Sequence, residues 1–441
     1  MNIVDVILDK RYGRELSDEQ IQFFIDGVTD KSIPDYQISA LLMAIVLNGM
    51  SEREMTTMTL AMAASGQQND LSYVDGIPVD KHSTGGVGDK ITPLVMPLCA
   101  TFGVQSVKLS GRGLGFTGGT VDKFESIDGF QIEVPQEKFP ELVKATGMVI
   151  SGQTPDLAPA DKVLYALRDV TGTVDSIPLI ASSIMSKKIA GGAKAIVLDV
   201  TCGSGAFMKT PERARELAEA MIKIGNLAGR KTIAVITDMD QPLGRTCGNA
   251  LEMMEVFETL IGKGAPDVVE VASVIAANMV ELAGKNGDLT GDALVEECKK
   301  RLVNGEALEK YYELIIAQGG QVLPNGAPVY KVKPFEEIRV TSPETGYISG
   351  IKADVVGHAS VMLGAGRVTK EDSIDYGAGI SFYCKVGDYV RRGDVLCSFS
   401  RGENSNADEG ILYDVMEYIL DAYSYSSEPV EKKPSIIDII R

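Results

Sequence analysis

Two short stretches of this chain combine glycines, hydroxyls and cations in a way suited to holding an oxyanion. The first is KHSTGGVGDK, residues 81–90. It follows a predicted strand at 77–79 and precedes an apolar helical run. Glycines let backbone N–H groups approach a phosphate closely, and a helix N-terminus adds favourable partial charge. Lys81 brings a full positive charge and Ser83 a hydroxyl donor. The stretch also reads as a plain tight turn, and it is not a Walker A loop, whose G-x-x-x-x-G-K-[ST] order is absent. The second stretch, KLSGRGLGFTGGT at 108–120, repeats the composition after another predicted strand. Eight glycines (85, 86, 88, 111, 113, 115, 118, 119) would be an expensive way to build turns alone. Two such loops at the C-terminal ends of parallel strands face the edge where open α/β sheets bind ligands.

A third segment carries different chemistry. YALRDVTG (165–172) is followed by SSIMSKK (182–188). Ser183 and Lys187 are four apart and share one helical face. The Arg168 guanidinium is a fork of donors suited to a flat ligand with carbonyl oxygens. A solvated basic face is the alternative, although the neighbouring residues are small and apolar rather than acidic. His82 stands among these groups and is the candidate acid or hydrogen-bond donor. His358, in GHAS, has no such company.

The elements that position these residues follow from periodicity. Residues 1–65 read as helices, with capping-box patterns at Ser17/Gln20 and Ser51/Glu54. The helix at 35–48 is apolar around much of its circumference, so it must bury two faces, in a helical core, a subunit interface or both. A polar link at 66–78 leads to β-branched runs at 104–109, 131–134, 195–200 and 232–237. Helices are predicted between them, near 136–146, 211–229 and 267–283. This alternation implies a mostly parallel sheet with helices on its faces. The helical stretch 160–192 interrupts it and is placed back on the N-terminal helices. Residues 335–441 turn to short strands and glycines. The expected fold is α/β: a small all-helical domain (1–65 with about 160–192), a large mixed α/β domain with a mostly parallel sheet (66–159 with about 193–334), and a C-terminal α+β unit (335–441).

Bulk properties narrow the function. The 441 residues hold 43 Lys and Arg against 61 Asp and Glu, a net charge of −18. That field repels nucleic acid and anionic membranes, so neither is an expected partner. The six cysteines are scattered without a CxxC pair, and only two histidines exist, so no zinc cluster is expected. The N-terminus lacks a signal-peptide pattern and no run is long enough to span a membrane, which points to the cytoplasm.

Together the three segments resemble the thymidine/pyrimidine-nucleoside phosphorylase family, and most resemble its pyrimidine-nucleoside branch. The similarity runs through KHSTGGVGDK, the SGRGL…TGGT stretch with Asp122 and Glu125, LYALRDVTGTVDSIPLIASSIMSKKIA, and LGAGRVTKED near the C-terminus. It implies phosphorolysis of uridine, thymidine and deoxyuridine to free base and pentose 1-phosphate, with inorganic phosphate as co-substrate, no organic cofactor, and a homodimer formed through the helical domain. Carried over, Lys81, Ser83, Thr92, Ser110 and Thr120 would hold phosphate. Lys108 is grouped with them and marks the branch accepting both uridine and thymidine. Arg168, Ser183 and Lys187 would hold the base, His82 would sit near its O2, and Leu114, Val174, Ile180 and Phe207 would line its pocket. His82, Arg168 and Lys187 would act in catalysis. The resemblance also implies a potassium ion at Gly88, Lys90, Leu243, Thr246 and Glu255.

The chain departs from the family's pattern at three places: Phe116 replaces a usual His, Thr201 a usual Lys, and Thr246 a small apolar residue. Phe116 and Thr201 leave open a nucleoside-binding paralogue without turnover. A strict thymidine phosphorylase and an anthranilate phosphoribosyltransferase-like transferase are further alternatives. The C-terminal VGDYVRRGDVL resembles the turn of biotinyl/lipoyl-type domains, but no Met-Lys-Met carrier site accompanies it.

Overall fold

The computed structural model describes residues 1–441 apart from Leu114, Thr117, Pro155, Lys370, Glu371, Asn404 and Asn406. Four helices open the chain: α1 (Ile3–Arg11), α2 (Asp18–Thr29), α3 (Asp35–Asn48) and α4 (Glu52–Ala64). Both capping boxes form, at Ser17/Gln20 and Ser51/Glu54. Glu54 also accepts the buried Lys10 ammonium at 2.7 Å and the Leu16 N–H at 2.8 Å, so one carboxylate ties α4 to α1 and to the turn before α2.

The middle of the chain runs β1 (Val79–Ser83), α5 (Ile91–Ala100), β2 (Ser106–Ser110), α6 (Thr120–Glu125), α7 (Phe139–Thr146), β3 (Met148–Gly152), α8 (Pro159–Thr171), α9 (Ile177–Ala190), β4 (Ala195–Cys202), α10 (Pro211–Leu227), β5 (Lys231–Asp238), β6 (Thr246–Cys247), α11 (Asn249–Glu258), α12 (Pro266–Leu282), α13 (Gly291–Val303) and α14 (Glu306–Ala317). Strands β1, β4 and β5 are parallel neighbours, with Ser83 beside Asp199 and Asp199 beside Val235. All of β4 is buried. Its alternate residues serve two cores: Ile196, Leu198 and Val200 pack with α9 and α10, while Ala195 and Val197 pack with α5 and α12. Burial on both faces is why this strand reads as a continuous apolar run. Ala160 and Leu164 of α8 and Leu179 of α9 pack in one core with Phe24, Leu41 and Met58 of the opening helices.

Two features differ from the sequence reading. Strand β2 pairs with β3 rather than joining the main sheet. The strand expected at 131–134 is irregular: Ile132 is buried between exposed neighbours, so the alternation is real, but its backbone partners are the Ser151 hydroxyl, Gly152 and Gln318 instead of a strand ladder.

The C-terminal part contains β7 (Pro334–Thr341), β8 (Gly346–Ile351), α15 (Ala353–Met362), β9 (Gly379–Phe382), β10 (Tyr389–Val390), β11 (Val395–Gly402), α16 (Glu409–Ala422), β12 (Tyr423–Ser426) and β13 (Ile436–Ile440). One sheet runs β6-β9-β11-β7 and another β10-β8-β12. The last strand leaves this unit and adds antiparallel to β5. Its Ile436 and Ile440 pack against the two cores flanking the main sheet, which is the apolar contact that draws the chain end there.

Candidate active site

The first glycine-rich stretch begins inside β1, so Lys81, His82 and Ser83 are held by strand pairing and only Thr84 onward is loop. Gly85 and Gly88 take φ of +91° and +77°, a region that favours glycine. The Ser83 hydroxyl accepts the Gly85 N–H at 3.2 Å. Thr201 stands at the end of β4 and ties this loop down: its hydroxyl bonds Thr84 Oγ1 at 2.9 Å and donates to the Gly85 carbonyl. Thr92 lies buried in the first turn of α5.

Lys81 is buried, with its ammonium 3.1 Å from Asp199 and 3.9 Å from Asp89. Burial disfavours its charge, but the two carboxylates outweigh that and raise its pKa. Burial alone would raise Asp89, yet Lys81 and Lys123 hold it down at about 2. Asp199, deeper and without that second lysine, is raised by burial despite Lys81.

The second stretch ends β2 with Ser110, buried opposite Gly152. Thr120 opens α6. Asp122, in the first turn of α6, accepts the Gly113 N–H at 2.7 Å and pairs with Arg367 at 2.9 Å, so this loop is anchored to the C-terminal part. Phe116 rests against the His358 ring, with centroids 5.2 Å apart, so the position where the family usually has His meets the chain's other histidine. Leu114 lies outside the described residues.

Lys108, in the middle of β2, bridges the gap between the two sheets. Its ammonium donates to the Lys81 carbonyl and lies 3.4 Å from Asp80. Burial, against the pull of Asp80 and with Lys188 and Lys81 nearby, lowers its pKa to about 7. Lys188 of α9 closes the group at 2.7 Å from Asp80.

The third segment occupies α8, α9 and their connection. Arg168 is buried and donates to the carbonyls of Thr173 (3.2 Å), Val174 (2.6 Å) and Leu179 (3.1 Å). That uses three of its five N–H groups and holds the α8–α9 connection in shape. Lys187 bonds Ser183 Oγ at 3.0 Å and pairs with Asp161 of α8. Val174 and Ile180 are half-buried near this turn, while Phe207 is exposed.

His82 sits where these sets meet. Burial pushes its pKa well below the ordinary value, and Lys188, Lys108, Lys187 and Lys81 push it further. The imidazole is therefore neutral at neutral pH, a hydrogen-bond donor and not a ready acid. Its NMR resonance is expected not to titrate near the usual ~6.5. With two histidines in the chain, His82→Gln assigns it by difference. Because the folded pKa lies below the unfolded one, stability from this group is present above the ordinary value and lost as pH falls through it toward the folded value. A midpoint at or above the ordinary value would contradict the lysine cluster as described.

The five positions expected to hold potassium do come together, but around an ammonium. Lys90 Nζ lies 2.7 Å from Leu243 O, 3.0 Å from Thr246 O and 2.9 Å from Glu255 Oε2. A Cβ on Gly88 would stand 2.5 Å from the same Leu243 carbonyl, so the pocket has no slack. An ammonium cannot ligate a cation, and its own charge already fills this shell.

Sequence reasoning missed the carboxylates that organise the lysines: Asp80, Asp89, Asp161 and Asp199, together with Lys188. Asp89 and Asp199 lay within stretches already noted. Asp161 is 26 residues from Lys187 and had no local signal.

Comparison with known proteins shows the family. The glycosyl transferase family a/b-domain model matches residues 75–308, its helical bundle domain 4–66, and the pyrimidine nucleoside phosphorylase C-terminal domain 347–410. A pyrimidine-nucleoside phosphorylase of Bacillus subtilis (strain 168) is 52% identical over 417 residues, covering 94% of this chain and 95% of its own length. One from Geobacillus stearothermophilus is 48% identical over 440 residues, covering 100% of both. Among solved structures, anthranilate phosphoribosyltransferase from Thermus thermophilus shares the fold, at a TM-score of 0.54 and 19% identity, covering 71% of this chain and 99% of that one. The chain belongs to the pyrimidine-nucleoside phosphorylase family.

Proposed function

We propose that this enzyme cleaves pyrimidine nucleosides with inorganic phosphate, using the site residues in the roles that follow. The observation that carries the reading is the convergence beside His82 of Lys81, Lys108 and Lys188, tied together through Asp199, Asp80 and the Lys81 carbonyl at β1 and β2. Each of these lysines, like Lys187, is matched by a carboxylate (Asp199 with Asp89, Asp80, and Asp161), so in a chain of net charge −18 the site is locally balanced rather than acidic, which an incoming anion needs. Phosphate would sit at the ends of β1 and β2, held by Lys81, Ser83, Thr92, Ser110 and Thr120. The base would lie over α9, against Arg168, Ser183 and Lys187, with Val174, Ile180 and Phe207 beside it.

Breaking the N-glycosidic bond leaves negative charge on the pyrimidine and positive character on the sugar carbon. Lys187 and the two free N–H groups of Arg168 stabilise that anion, and His82 donates a hydrogen bond to a ring carbonyl. One such preorganised donor contributes roughly 3 kcal/mol in the transition state. Phosphate is a weak nucleophile, so holding it in line with C1′ supplies much of the rate. No organic cofactor is required.

The direct test is release of uracil from uridine and thymine from thymidine, dependent on phosphate and without added magnesium. Activity only with a pyrophosphorylated sugar would overturn the assignment. Turnover in the native chain that matches Phe116→His would rule out the non-catalytic alternative. Lys108→Met is expected to reduce kcat/KM for uridine about tenfold more than for thymidine, the value of one hydrogen bond to the 2′-hydroxyl. Equal losses would remove Lys108 from sugar recognition.

The domain division given above, with β13 returned to the large sheet, belongs to the same proposal, as does a homodimer through the helical part. Tyr36, Met43 and Leu47 of α3 are exposed at helical spacing, an apolar face suited to a second copy. A monomer by light scattering at micromolar concentration would sink the dimer. All six cysteines are free, which suits a reducing cytoplasm. No helix among the described residues is long and apolar enough to cross a membrane.

A further inference from the structure

The shell around Lys90 has the make-up of a monovalent-cation site. Two loop carbonyls, Leu243 O and Thr246 O, and the Glu255 carboxylate converge on one point charge at 2.7–3.0 Å, and the lysine side chain is fully buried. Glu255 is itself fully engaged: Oε1 accepts the Arg245 N–H at 2.7 Å, and Oε2 accepts Thr246 Oγ1 at 2.6 Å. Thr246 therefore serves the shell through both its carbonyl and its hydroxyl. From the far side, Lys385 donates to the Gly244 carbonyl at 2.8 Å, within the same loop. A Cβ on Gly244 would lie 2.4 Å from Glu255 Oε1 and 2.9 Å from Lys90 Nζ, so the loop closes tightly over the ammonium. Burial works against the charge on Lys90, but Glu255 and Glu252 outweigh it and raise its pKa.

An ammonium and a potassium ion are close in size, carry the same charge and take the same oxygen partners. We propose that Lys90 is a tethered substitute for a structural monovalent cation, so that this enzyme is independent of potassium. The clamp joins the residue before α5, directly behind the phosphate loop, to the β5–α11 connection. Lys90 is thus a positioning residue for the anion loop, acting through Gly88 and Asp89 rather than on substrate.

The test compares the native enzyme and Lys90→Ser in potassium, ammonium, sodium and choline chloride at equal ionic strength. Melting temperature is read beside KM for phosphate, so that failure of this idea and failure of the phosphorylase reading are separable. The native enzyme is expected to change less than twofold between choline and potassium. In choline, Lys90→Ser should melt about 5–10 °C lower, because a buried carboxylate has lost its partner. Its KM for phosphate should rise about tenfold, with less change in the nucleoside KM. Potassium or ammonium should restore both values saturably, as ligands of the folded state do. Activation of the native enzyme by potassium overturns the proposal, and so does a folded Lys90→Ser protein that no small cation repairs. If that variant does not fold in any salt, the charge-neutral pair Lys90→Met with Glu255→Gln decides. It should fold and ignore potassium, and a potassium requirement in it overturns the idea.

Discussion

Lys81→Met should abolish measurable phosphorolysis and also weaken the fold, most strongly near neutral pH. The ammonium it removes is 2% exposed and lies between Asp199 and Asp89. Leaving Asp199 buried without its cation, and Asp89 with Lys123 alone, costs about 3–5 kcal/mol. At the proposed phosphate site the incoming anion would then meet carboxylates where the native enzyme offers a cation, so kcat/KM for phosphate should fall by about a thousandfold or more, roughly 4 kcal/mol. The pH dependence separates this cause from simple loss of packing. In the native protein Asp89 is held at about 2, below its ordinary value of 3.8. Its stabilising contribution is therefore present above that ordinary value and lost as pH falls toward the folded one. Without Lys81 that contribution shrinks and both carboxylates protonate more readily. Urea unfolding of the two proteins should differ most near neutral pH and converge as pH falls to about 4, the ordinary carboxylate value. A gap of constant size would show that Lys81 matters by volume and not by charge.

Arg168→Lys should lower kcat/KM for the nucleoside about a hundredfold while leaving the KM for phosphate nearly unchanged. The guanidinium spans three carbonyls, at Thr173, Val174 and Leu179, that no ammonium can reach from one point. Losing that fork loosens the connection between α8 and α9 and, in the proposed site, withdraws the two N–H groups left for the base. Misplacement of about 1 Å is enough for a loss of this size. Parallel steady-state titrations of both substrates make the comparison, and an equal rise in the two KM values would place Arg168 in general folding rather than in base recognition.

The sequence by itself determined the outer terms of this molecule. Hydrophobic periodicity marked the opening helices, the β4 and β5 strands, and the helices near 211–229 and 267–283. The capping boxes at Ser17 and Ser51 were legible because a cap is a contact between residues three apart. The chemistry-bearing segments were legible because glycine, hydroxyl and cation were adjacent in the chain, and the family resemblance drew on the same stretches. Only the tertiary structure decided which carboxylate faces which lysine. Lys187 meets Asp161 across two helices, and Lys81 meets Asp199 across two strands, at separations no local pattern encodes. It also decided that β2 leaves the main sheet, with Lys108 filling the seam, and that the backbone at 131–134 bonds to the Ser151 hydroxyl, Gly152 and Gln318 instead of a strand ladder despite its alternating burial. The ionisation states belong to the same class. His82 is held neutral by burial itself, reinforced by nearby lysines, whereas Lys90 keeps its charge against burial because a carboxylate and two carbonyls surround it. Local pattern is set by neighbours along the chain, whereas charge is set by neighbours in space.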